Sequence, residues 1–110
     1  MTAGLRRSWL LVPASKAAEF APAARSGADV VVLDLAELVA EHDKPVARAQ
    51  LPAAMAAVRA GGAEVFVQID PELMYADLHA AVWPGLAGIV VSRAESPRQI
   101  ADVDAQIAAL

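Results

Sequence analysis

The stretch Gly27-Ala28-Asp29-Val30-Val31-Val32-Leu33-Asp34-Leu35 decides the fold. Its short run of β-branched residues has no polar alternation, which predicts a parallel strand covered by helices on both faces. The run opens after a glycine and closes on a carboxylate. A second stretch, Glu64-Val-Phe-Val-Gln-Ile-Asp70, repeats the plan after Gly61-Gly62-Ala63 and ends on Gln68 and Asp70. Open α/β sheets and α/β barrels carry their chemistry at the C-terminal ends of parallel strands. Polar groups closing two such strands point to one shared rim.

Working outward, Ser8 to Val12 reads as a short strand stopped by Pro13. Ser15 is placed to cap a helix reaching Ser26, with Gly27 suited to the left-handed backbone beyond it. Asp43 reads as the cap of a second helix, with Pro45 in its first turn, an end at Ala60 and a break or kink near Pro52. Tyr75 to Val82 predicts a third helix, ended by Pro84-Gly85, and Gly88 to Val91 a fourth strand. Ser96-Pro97-Arg98-Gln99 has the spacing of a capping box. The helix it opens carries Ile100, Val103, Ile107 and Leu110 on one face.

Strand and helix alternate, so the fold class is α/β: four βα units with right-handed crossovers and a parallel sheet. The Gly-Ala-acid-Val pattern recurs after 35 residues, at Gly27 and Gly62. The 110 residues form a single domain, about half of an eight-unit barrel of roughly 250 residues. Such a sheet leaves its edges open. Either it is a small self-contained open sheet, or it is part of something larger. The second case predicts that the chain is no monomer, pairing with another copy or with a separate C-terminal half-barrel.

Composition narrows the partners. A net charge of −4 without a basic stripe argues against nucleic acid. Hydrophobic residues make up 57% of the chain, much of it alanine. No apolar run approaches the roughly 20 residues that cross a bilayer, so no membrane partner is expected. The chain has no cysteine, which excludes disulfides and Cys-ligated zinc and fits a cytoplasmic setting. His42 and His79 have no ligand partners nearby in sequence, so no metal site is expected from them. No phosphate loop, dinucleotide motif or Ser-His-Asp order is present.

Several motifs, in order, resemble one family. They are Arg7-Ser-Trp-Leu-Leu-Val-Pro13, Val32-Leu-Asp-Leu-Ala-Glu-Leu-Val39 with Asp43-Lys44 and Arg48, Val67-Gln-Ile-Asp70, and Gly88-Ile-Val-Val-Ser-Arg-Ala-Glu-Ser96. Together they are similar to the N-terminal half of the citrate lyase β-subunit-like proteins of the HpcH/HpaI aldolase superfamily. The resemblance implies half of a TIM barrel and a lyase or aldolase of acyl-CoA, 2-oxo or hydroxy acids. It also implies magnesium as cofactor and assembly as trimers or hexamers. The family's metal carboxylates fall beyond the fourth βα unit, so magnesium ligands are not expected within this chain. Three departures stand out. The family's Asp-Leu-Glu-Asp is here Asp34-Leu35-Ala36-Glu37, its Pro-Gly is Pro13-Ala14, and its substrate-binding arginine is replaced by Gln68. A neutral amide in place of a guanidinium fork changes what the site can hold.

The candidate catalytic residues are therefore Asp34, Glu37 and Gln68, and the candidate substrate-binding residues Gln68, Asp70, Lys16 and Arg93. Each has a plainer reading beside it. Asp34 would brace its loop, Glu37 would be solvated, Asp70 would serve its turn before Pro71, and Lys16 and Arg93 would be surface charges. Lys44 and Arg48 are expected to form salt bridges with the strand-end acids. Glu95 sits at a helix start, where its charge favours the helix dipole. Trp9 and Trp83 are expected in the core or at an interface. Two functions remain open: a metal-dependent carbon–carbon lyase, or a non-catalytic ligand-binding or assembly subunit of the same descent. Loss of the arginine favours the second.

Overall fold

The computed structural model describes residues 5–110. Its strands are β1 (Trp9–Pro13), β2 (Val30–Asp34), β3 (Glu64–Ile69) and β4 (Leu86–Val91), and its helices α1 (Phe20–Ala24), α2 (Lys44–Arg59), α3 (Met74–Ala81) and α4 (Pro97–Ala109). All three strand pairings are parallel, in the order β1-β2-β3-β4. Right-handed crossovers between strands taken in sequence put every helix on the same face. In agreement, α1 packs on α2, α2 on α3 and α3 on α4. This is the winding of a barrel rather than of a doubly wound sheet.

The expectation of helices on both faces is therefore corrected. Along β2, Val31 and Leu33 point into the helix-side core with Val65, Val67 and Ile69 of β3 and Leu51, Met55 and Val58 of α2. Val30, Val32 and Asp34 alternate to the other face, where none of the described helices packs. There the register sets Leu11, Val32, Phe66 and Gly88 in one row and Pro13, Asp34, Gln68 and Val90 in the next. Phe66 lies over Gly88, where any Cβ would collide with its ring. Trp9 also sits on this face, 5.1 Å from the Phe66 ring and half exposed. Neither tryptophan reaches the core: Trp83 is half exposed and donates to the Ala80 carbonyl.

Local chemistry moved several boundaries. The helix expected from Ser15 to Ser26 is a 3-10 turn, Ala17–Glu19, followed by the five residues of α1. Pro22 has no N–H to donate, and its ring opposes an α-helical bond to the turn before it, so α1 starts close enough to hold it in its first turn. Ser15 makes no cap, and Lys16 occupies the cap position without a side-chain bond. Gly27 does take the left-handed backbone, at φ 78°. Asp43 does occupy the N-cap position of α2, but it also closes a 3-10 turn, Glu41–Asp43, and its side chain makes no capping bond, lying instead 3.5 Å from His42. Helix α2 runs through Pro52 uninterrupted, with Pro52 on the solvent side and Leu51, Ala54 and Met55 buried around it. The Ser96 hydroxyl accepts from the Gln99 amide, as the motif predicts, but the Gln99 side chain accepts from Glu95 rather than Ser96.

One buried ion pair ties α2, α3 and the end of β3 together. Asp77 is fully buried; Oδ1 accepts from Arg48 Nε at 2.9 Å and Oδ2 from the Asp70 amide at 3.0 Å. Removing it strands both donors. Asp77→Ala is expected to lower stability by about 2–3 kcal/mol, toward the low side for a broken buried pair because Arg48 keeps some access to water. Urea unfolding followed by circular dichroism checks this value.

The turn after α2 makes a second test. Gly62 has φ 95°, whereas Gly61 has no Cβ because the Ala24 carbonyl occupies that space. A left-handed alanine costs roughly 1–2 kcal/mol, while a Cβ driven into backbone shifts α1 against α2. Gly61→Ala is therefore expected to be the more destabilising of the two alanine variants, by at least about 1 kcal/mol, in paired thermal melts.

Candidate functional site

Because the strands are parallel, their C-terminal residues converge on one end of the sheet, carried there by Pro13, Asp34, Ile69 and Val91. The opposite end is braced by fixed polar contacts. Arg6 is bidentate to Glu64, and Asp29 accepts from the Arg7 and Ser8 amides. The Arg6 side chain holds the Glu64 carboxyl below its ordinary range, and the two amides do the same for Asp29.

Asp34 is fully buried at the end of β2. Its Oδ1 accepts from the Ala36 amide at 3.0 Å and from Gln68 Nε2 at 2.9 Å, and its Oδ2 from the Leu38 amide at 2.6 Å. The carboxylate thus fixes both its own loop and the neighbouring strand's amide side chain. Gln68 is half-buried beside it, since the register pairs these two residues directly. A carboxylate only accepts, so the Gln68 NH2 faces Asp34 and its Oε1 faces away.

Glu37, in the same loop, is exposed. Its Oε1 accepts from the Ser92 hydroxyl at 3.1 Å and lies 3.4 Å from Arg93 Nε, joining the β2 and β4 ends. Arg93 turns the chain just after β4 with φ 47°, the sole non-glycine residue described with a positive φ. It lines a cleft with Asp70, Pro71, Glu72, Ser92, Glu95 and Gln99. Asp70 borders that cleft while its Oδ1 caps the turn at Pro71–Leu73 by accepting from the Glu72 amide. Lys16 stands at the end of β1, exposed, with no side-chain bond among the described residues. The structure therefore joins Asp34 to Gln68 and Glu37 to Arg93, sets Asp70 beside Arg93, and leaves Lys16 apart.

The two remaining cations correct an expectation. Lys44 is buried, but its Nζ donates to the Leu35 and Ala36 carbonyls, not to a carboxylate. Arg48 pairs with Asp77 of α3 rather than with a strand-end acid. The acids were already satisfied by nearer amides, so the cations went elsewhere. Sequence reasoning missed Asp77 and Ser92. Asp77 falls between Met74 and Ala81 on the buried stripe of α3, so an acid there signalled a buried partner. Ser92 continues the alternation of Gln68's neighbour Val90 and is buried.

Magnesium was implied by the resemblance alone. Among the described residues no group of three or more His, Asp or Glu side chains stands close enough to hold a metal ion. The Asp34 oxygens are taken by three donors, and Glu37 is shared between Ser92 and Arg93. These residues do not make a magnesium site by themselves. No helix among them is long and apolar enough to cross a membrane.

Comparison with known proteins adds the family. Among solved structures, the chain matches CitE from Mycobacterium tuberculosis, crystallised with magnesium, acetoacetate and coenzyme A, at 29% identity and a TM-score of 0.64. The match covers 90% of this chain and 38% of that one, so the chain spans less than half of its relative's length. No curated protein sequence matches it. Residues 7–110 match the family model for HpcH/HpaI aldolase/citrate lyase, and with that match over nearly its whole length the chain belongs to that family.

Proposed function

We propose that this chain supplies the first four βα units of a carbon–carbon lyase or aldolase domain whose strand-end rim receives a small acid or its coenzyme A thioester. The observation that carries this reading is the likeness to CitE, whose crystals hold acetoacetate and coenzyme A. The rim supports it: polar groups from β2, β3 and β4 meet there, and Asp34 fixes the loop that carries Glu37. In this reading Asp34 and Gln68 position the acyl group, Glu37 and Ser92 border it, and Asp70, Arg93 and Lys16 bind the flanking parts of the ligand. In the same reading, magnesium would be held by residues outside this rim.

The first test is binding. Isothermal titration of the chain with acetoacetyl-CoA is expected to show saturable binding below ~1 mM, the upper end of ordinary substrate affinities. Loss of that signal in a Glu37→Ala variant whose circular dichroism matches the parent's would tie it to this rim. No heat at that concentration overturns the reading.

A second reading, a non-catalytic ligand-binding or assembly subunit, is favoured by Gln68 where the family has its arginine. Binding of the thioester without any carbon–carbon cleavage or condensation, magnesium present, would select it.

The same proposal treats the helix-free face as an internal face of a larger barrel. Trp9 and Leu11 are 50% and 42% exposed there, beside Phe66. At roughly 25 cal/mol per Å², leaving such a face wet forgoes stabilisation that a small domain needs. Sedimentation velocity at micromolar concentration is expected to show a species heavier than the 11.4 kDa chain. A cooperative 11.4 kDa monomer would favour the self-contained open sheet instead.

A further inference from the structure

The helix-free face ends, on the side of the rim, in a floor of Pro13, Asp34, Gln68 and Val90, set side by side by the register. That floor holds a buried carboxylate and no cation. Three of the rim's positive charges are engaged elsewhere, and the fourth, Lys16, stands exposed beyond the end of β1 with no bond to the floor among the described residues. Lys44 Nζ lies on two backbone carbonyls, Arg48 on Asp77, and Arg93 beside Glu37. The Gln68 NH2 is turned to Asp34, and among the described residues no donor reaches its Oε1. The atom that Gln68 turns away from Asp34, toward a ligand, is thus an acceptor.

We propose that Gln68 Oε1, held by Asp34, is the specificity-determining group of this rim: it takes the hydroxyl of an uncharged hydroxyacyl thioester and turns away a second carboxylate. The inference rests on the acyl-CoA reading above and narrows its substrate class. A hydroxyl donates to Oε1 and completes the row Asp34–Gln68–ligand with every polar group paired. A carboxylate set against Oε1 meets one acceptor with another and has no proton to share with it. It also stands against the Asp34 charge, and an unfavourable contact of that kind is how a site rejects a close analogue.

The experiment compares two thioesters of nearly equal acyl size, 3-hydroxybutyryl-CoA and malonyl-CoA, titrated into the chain in EDTA. The coenzyme A moiety is common to both, so its charges cancel in the ratio. The chain is expected to bind 3-hydroxybutyryl-CoA at least about tenfold more tightly. Gln68→Arg is expected to reverse the preference by offering a charged fork. Gln68→Met, similar in length but without the amide oxygen, is expected to bring the ratio toward one. Equal or tighter binding of malonyl-CoA by the parent overturns the inference while leaving the acyl-CoA reading intact. A parent preference that both variants retain overturns the assignment to Gln68. Binding of neither thioester overturns the acyl-CoA reading, and this inference with it.

Discussion

A loop buried against a sheet must find partners for its own peptide groups, because each one left unpaired costs as much as a lost hydrogen bond. The turn after β2 meets that demand with two side chains of opposite charge. Asp34 takes the amides of Ala36 and Leu38, and Lys44 gives its ammonium to the carbonyls of Leu35 and Ala36. The Ala36 residue is thus held from both sides, N–H by an anion and C=O by a cation. Glu37 stands next to this clamp, and its reach to Ser92 and Arg93 depends on it. Gln68, in turn, is oriented by the same carboxylate. Charges that a sequence motif suggests for chemistry here carry the geometry on which any chemistry must rest.

The parts of the fold legible in the sequence were those set by the chain's nearest neighbours. Val30-Val31-Val32 can hardly be anything but a buried strand, and Ser96-Pro97 can hardly fail to open a helix. Gly27 marked a left-handed turn for the same local reason. Ser15 misses the cap position, and Asp43 holds it without a capping bond because its own backbone is already helical. In both places a 3-10 turn came first. The one-sided helix layer was hidden in β2, because a strand covered on one face by helices and on the other by aromatic neighbours has the same unbroken apolar run.

Of the candidate site, the convergence of Asp34, Gln68, Glu37 and Arg93 was legible, since parallel strands deliver their ends together. Partnership was not. Lys44 and Arg48 lie one turn apart on α2 and look equivalent in sequence, yet one ends on carbonyls and the other on Asp77. Which acceptor a buried cation meets is a property of packing between helices, and Asp77 entered the picture only through the contact of α2 with α3. The polarity of the Gln68 amide is a similar case. Its composition says that it both donates and accepts, and only the neighbouring carboxylate decides which end of the amide turns outward.

Phe66 and Gly88 face each other across β3 and β4, the ring filling the volume that a side chain on the next strand would take. Neither position is then free to drift alone. In descendants of this sequence, growth at residue 88 would be tolerated only after shrinkage at residue 66, so the two should change as a pair. The order of substitution would matter: loss of the ring first leaves a gap, which a protein survives more readily than a collision.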